Sequence, residues 1–157
     1  MNKPAVMISI RPEWCKLIAE GKKTVEARKT FPERVRMPFK CYIYESQKSK
    51  SVIGEFTCDS VSALLLVSDS FAMREKYYAT AIAAACLTDE QLKEYSGGKN
   101  VYGWGISDLV IYDQPRSISK FFVEGNATHD CPPLVPLKRP PQSWCYVYGG
   151  NTHADAT

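Results

Sequence analysis

Histidine is scarce in this 157-residue chain: there are two, His129 and His153, one in an irregular stretch and the other near the end. The commonest general base and metal ligand is thus missing from nearly every segment that could position it. The six cysteines (15, 41, 58, 86, 131 and 145) never form a Cys-x-x-Cys pair. His129 lies near Cys131, but no second close pair completes a zinc pattern, so no metal is expected. Most cysteines sit in apolar strings such as Lys40-Cys41-Tyr42-Ile43, which reads as buried free thiols in a reducing compartment. Cys131, in a proline-rich stretch, is the exception. The longest apolar runs, Ala63–Val67 and Ala81–Leu87, fall far short of the roughly 20 residues that span a bilayer. No basic segment leads into an apolar stretch at the N-terminus, so a cytoplasmic protein with no membrane partner is expected. A P-loop, a dinucleotide glycine pattern and a nucleophile elbow are all missing. Their absence speaks against ATP-driven and NAD-dependent chemistry, and no cofactor is expected.

What is present fits one folded unit. A hydrophobic content of 45% over this length supports a single core. Residues 1–148 are read as one domain and 149–157 as a disordered tail. Charge is unevenly spread. Residues 1–50 hold 12 Lys and Arg against 5 Asp and Glu, whereas residues 51–157 hold 8 against 12. Such polarity suggests an anionic partner.

Val6 to Ile10 alternates as a strand, and Pro12 suits the first turn of a short helix ending near Glu20. Trp14, Leu17 and Ile18 give that helix one apolar stripe. Gly21 can end it in the left-handed conformation. Strands follow at Thr24–Lys29, Lys40–Glu45 and Val52–Val67, the last requiring a bulge near Asp59-Ser60. Ser46–Ser51 is a hairpin turn. Ser70–Cys86 reads as a helix with Ala79, Ile82, Ala83 and Cys86 inward. Thr88 and Gln91 form a capping box for a helix over Asp89–Tyr95. Val101–Tyr112 is a strand, Ser117–Phe122 a helical turn, residues 125–143 a coil, and Trp144–Tyr148 a closing strand. The pattern lacks regular βαβ repetition. It predicts an α/β (α+β) fold, a small mixed β-barrel with short peripheral helices.

The most informative stretch is Gly21-x-Lys23-x-x-Glu26-x-Arg28. Alternation along the strand puts Thr24, Glu26 and Arg28 on one face and Val25 and Ala27 on the other. Lys23, Glu26 and Arg28 are expected around a polar concavity. Its other boundaries are the start of the first helix and the loop 30–38. Lys23 follows a helix end, where the dipole favours a cation, but it is also placed to touch phosphate or donate a proton. Arg28 can clamp a phosphate or carbonyl. Glu26 can accept base N–H groups or act as a general base. A satisfied internal salt bridge is equally open for this pair. Lys29, Arg34, Arg36 and Lys40 extend the basic surface. Trp104 offers a face for a base or a core side chain. Asn100 and Ser143 are candidate polar contacts at the cleft edge.

In this order, Ile8-Ser9-Ile10 with Pro12, the Gly21-to-Arg28 string, Val52–Phe56, Tyr102-Gly103-Trp104-Gly105-Ile106 and Pro140–Trp144 resemble the ASCH domain family. That family is a branch of the PUA-like β-barrels, and the resemblance spans roughly residues 5–148. It implies an RNA- or nucleotide-binding protein whose ligand is RNA, a nucleotide or a nucleoside. Some members resemble ribonucleases. One branch hydrolyses N4-acetylcytidine with a Lys, a Thr and a Glu. Its lysine falls on Lys23, its threonine on Glu26, which is a departure, and its glutamate near Glu90. A hydrolase acting on RNA or on an N4-acylated cytidine, with Lys23 and Glu26 catalytic, is thus one alternative. A non-catalytic protein-interaction module is the other.

Overall fold

A computed structural model describes residues 3–126 and 130–149. Strand β1 (Ala5–Ile10) is apolar along nearly its whole length, and both of its faces are buried. Val6, Ile8 and Ile10 enter one core with Cys41, Ile43, Phe56 and Trp104. Met7 enters a second core with Tyr42, Tyr44, Phe121 and Val147. A strand buried on both sides belongs inside a sheet, and β1 pairs on both edges. It runs parallel to β3 (Phe39–Glu45) and antiparallel to β8 (Trp144–Gly149).

Helix α1 (Pro12–Ala19) starts on Pro12 and buries Cys15 and Ile18 against the first core. Gly21 ends it at φ +74. The N–H of Gly21 then reaches Ile18 O (3.0 Å), and those of Lys22 and Lys23 both reach Leu17 O at 3.0 and 3.1 Å. These bonds satisfy helix-end carbonyls and turn the chain sharply into β2 (Val25–Arg28). Strand β4 (Ser51–Leu65) shifts register between Cys58 and Val61, at the expected bulge, as it pairs with β5 (Val101–Arg116). Gly105 makes room for the bulge: a Cβ there would lie 2.3 Å from Ser60 Oγ. Helix α2 (Phe71–Ala84) is capped by Ser70. Its inward residues are Tyr78, Ala81, Ile82 and Ala85, while Ala79 and Ala83 are exposed, so its phase is shifted from the expected one. Helix α3 (Asp89–Ser96) carries the Thr88–Gln91 capping box and stops at left-handed Gly97. Two short strands complete the fold, β6 (Phe121–Glu124), which begins in the expected helical turn and runs past it, and β7 (Leu134–Pro136), inside the expected coil. The helical turn itself is a single 3-10 turn over Ile118–Lys120.

The β-barrel expectation is corrected. The eight strands form one sheet in the order β2-β5-β4-β3-β1-β8-β6-β7, and its ends do not pair with each other. Two features keep it open. The approach to β2 is occupied by the end of α2, through Thr24 N–H to Ala84 O (2.9 Å) and Lys23 Nζ to Ala85 O (2.6 Å). At the other end β7 is three residues long, exposed throughout, preceded by Pro133 and ended by Pro136, which have no N–H to extend a ladder. The expected closing strand β8 instead lies within the sheet, between β1 and β6. Gly149 ends β8; the rest of the expected tail, together with His129 and His153, lies outside the described residues.

Among the described residues no helix is long and apolar enough to cross a membrane. No group of three or more His, Cys, Asp or Glu among them is placed to hold a metal ion.

Candidate functional site

The turn after α1 and the pleat of β2 bring Lys23, Glu26 and Arg28 together. In the β2–β5 ladder Glu26 faces Trp104 and Arg28 faces Tyr102, so all four share one side of the sheet. Glu26 lies between the two cations. Its Oε1 accepts from Arg28 Nη1 at 2.5 Å, and its Oε2 lies 3.4 Å from Lys23 Nζ. Lys23 and Glu26 are each 3% exposed, and the Arg28 side chain is 11% exposed.

The backbone fixes both cations further. Lys23 Nζ donates to Ala85 O at the C-terminal end of α2, where the helix dipole favours a positive group. It also stands 5.0 Å from the centre of the Trp14 ring. Arg28 donates from Nη1 to Ala27 O (2.9 Å) and from Nη2 to Ser9 O (2.6 Å). Among the described residues, two buried side-chain atoms have no hydrogen-bond partner, Glu26 Oε2 and Arg28 Nε. The cluster therefore combines one carboxylate, two cations and incomplete satisfaction.

These residues floor a cavity of about 890 Å³. Arg11 and Trp14 from the start of α1 form one wall, and Lys29 and Thr30 continue β2. The structure adds two walls, of which the sequence indicated Ser143 alone. One is the polar face of α3, with Gln91, Glu94 and Tyr95. The other is the segment Pro140–Ser143 just before β8. The signal for α3 was present in part: positions 91, 94 and 95 share one helical face, but nothing local says where that face docks. The rest of the loop 30–38 lies outside the lining. Thr30 is held there by both indoles, through Trp104 Nε1 to its carbonyl (3.2 Å) and Trp144 Nε1 to its hydroxyl (2.9 Å).

The other sequence candidates fall in different places. Ser143 lines the cavity, and its carbonyl accepts from Ser9 N–H. Trp104 is fully buried in the first core. Asn100 lies outside the lining, and its Oδ1 accepts from Val67 N–H at 2.9 Å. Glu90 is exposed and outside the lining; the glutamate that α3 contributes is Glu94. The Cys15 thiol is pushed up to about 12, first by burial and then by the carboxylates of Glu45, Glu26 and Glu13. It stays protonated at neutral pH and does not read as a nucleophile.

The fold is similar to that of an ASCH protein from Zymomonas mobilis, at a TM-score of 0.59 and 23% identity over 90% of this chain and 86% of that one. Structures of a tyrosine-to-phenylalanine and a serine-to-alanine variant of that protein match at TM-score 0.58 and 22% identity, over 90% of this chain and 88% and 87% of theirs. No curated protein matches the chain in sequence. The model of the ASCH domain matches residues 8–120, which include the end of β1, the Gly21-to-Arg28 string and β5. The chain belongs to the ASCH domain family.

Proposed function

We propose that the chain binds RNA or a nucleotide-containing ligand in the cavity over Lys23, Glu26 and Arg28. The observation carrying this reading is the incomplete ionic cluster on the cavity floor. Withdrawing each ion from water costs several kcal/mol, and a cluster serving stability alone would be expected to satisfy its own atoms. Here one carboxylate holds two cations, so a single positive charge is left over below open space. Arg11 and Lys29 add two more cations to the lining, against Glu94. That balance suits a phosphate-bearing ligand. In this reading Arg28 meets the ligand first and Lys23 lies beneath it. Glu26 is a positioning residue that aligns both, and Ser143 is a polar contact at the edge. Trp104, having no exposed face, stacks no base.

Titration of single-stranded RNA and of nucleoside monophosphates across a salt series tests this. Binding should weaken as salt rises, and Lys23→Met or Arg28→Met should lower both the affinity and the salt slope. Absence of binding at low salt, or binding unaffected by both substitutions, would overturn it.

A second reading, hydrolysis, is favoured by one feature: an amine and a carboxylate 3.4 Å apart on a cavity floor. Such a pair can relay a proton to or from a ligand. Glu26 stands where the amidase branch has threonine, which favours proton relay over a hydroxyl nucleophile. Release of cytidine from N4-acetylcytidine, or cleavage of RNA, that disappears in Lys23→Met would establish it. The interaction-module alternative is weakened by the size of the cavity, whose volume lies near the top of the roughly 300–1,000 Å³ range for small-ligand sites.

A further inference from the structure

We propose that the rim beside the cavity carries a second nucleotide subsite, centred on Phe31, so that the preferred ligand is a single-stranded oligonucleotide rather than a lone nucleotide. This rests on the binding reading above and specifies its substrate class. Three observations carry it.

The first is an open aromatic surface where a chain would leave the cavity. Lys29 follows Arg28 directly and lies 5.0 Å from the Tyr95 ring centre, joining the end of β2 to α3 at the cavity wall. Two residues on, Phe31 is 38% exposed. Its ring is set edge-on to Tyr102, with centroids 4.9 Å apart and planes at 78°. Phe31 is thus held at a fixed angle with part of its surface in water, as a base-stacking platform requires.

The second is charge. Residues 28–40 contain Arg28, Lys29, Arg34, Arg36 and Lys40 but a single acid, Glu33. Arg34 is paired with Glu124, and Lys40 with Glu55. Arg36 is exposed and carries no ion pair among the described residues, so it is available to a phosphate. A cation and an aromatic face on one short loop match the alternating backbone and bases of a single strand.

The third is size. A cavity of about 890 Å³ that is lined from five separate segments has room to continue past one nucleoside.

The test is a length series. Uridine monophosphate and oligouridylates of increasing length are titrated by calorimetry or fluorescence anisotropy, with the DNA counterparts and a duplex alongside. Affinity should rise about tenfold from the mononucleotide to the short oligomers and then level off, the scale expected for one added stacking contact. Phe31→Leu preserves apolar packing against Tyr102 but lacks the aromatic surface. It should remove that gain while leaving mononucleotide affinity unchanged, and Phe31→Trp should restore the gain. The gain on RNA alone, or equally on RNA and DNA, supports the subsite. Mononucleotide binding with no gain on lengthening, a gain that survives in Phe31→Leu, or a preference for duplex overturns it while the cavity reading stands. Absence of binding by every probe overturns both.

Discussion

Glu26 and Glu124 each gather an arginine, yet they sit in opposite circumstances. Glu124 is near the surface and accepts from Arg34 Nη2 (2.9 Å) and Tyr148 OH (2.6 Å). The Arg34 guanidinium lies 4.8 Å from the Tyr146 ring centre, and the Tyr146 hydroxyl accepts from the N–H groups of Glu33 and Arg34. The contacts of Glu33 and Arg34 tie the loop 30–38 to β6 and β8, the Tyr148 bond ties β8 to β6, and the cluster closes on itself. Glu26 is buried, holds two cations rather than one, and leaves one oxygen ion-paired but without a hydrogen bond. Counting arginine partners alone would rank the two alike. Burial and the unmatched remainder separate a clasp from a candidate binding site.

Breaking the buried cluster should have the largest effect. Glu26→Gln leaves Lys23 and Arg28 buried without a counter-charge, and should cost about 3–5 kcal/mol in urea unfolding. A loss below about 1 kcal/mol would show that water reaches the cluster freely, as at a surface pair. Lys23→Met comes next. Glu26 keeps Arg28 and the methionine fills similar space, so the main loss is the bond to Ala85 O, about 1–3 kcal/mol. Ligand affinity should fall more sharply in Lys23→Met than stability does.

The exposed clasp should respond locally. Tyr146→Phe removes the acceptor for two backbone N–H groups. Amide hydrogen exchange at Glu33 and Arg34 should accelerate while β1 and β3 stay protected. The smallest effect concerns pH. The Glu124 carboxyl is held below its ordinary 4.5, first by the Tyr148 hydrogen bond and then by Arg34. A depressed carboxyl contributes stability above its unfolded value, and that contribution disappears as pH falls through the folded one. The effect is therefore confined to acid below 4.5. A carboxyl titration followed by NMR should place Glu124 under 4.5, and Tyr148→Phe should raise its midpoint more than Arg34→Ala does.

What the sequence disclosed was set by how local each cause is. The Thr88 capping box, the left-handed Gly21 and the β4 bulge depend on residues close together in the chain, and each lies where expected. Lys23, Glu26 and Arg28 converge because one turn and one pleat suffice to aim them. The sheet order was hidden because it depends on distant partners. Leu134–Pro136 is bounded by prolines and exposed throughout, so neither alternation nor burial marks it as a strand until β6 pairs with it. The same limit concealed the α3 wall and, apart from Ser143, the segment 140–143. Trp104 shows the limit in a single residue. Its place on β5 was readable, but the side chain is covered by Phe39 and Trp144, which come from remote strands.

The position of β8 links the site to the order in which the chain is made. The cavity wall at Pro140–Ser143 is joined to the front of the molecule by Ser9 Oγ to Pro141 O (2.6 Å) and Ser9 N–H to Ser143 O (2.9 Å), and β8 then pairs with β1. During synthesis Lys23, Glu26 and Arg28 leave the ribosome more than a hundred residues before this wall. Closing so long a loop is entropically costly and slows folding. A nascent chain ending before residue 140 would carry all three charged residues but no finished cavity, so ligand binding should begin only when the last strand docks.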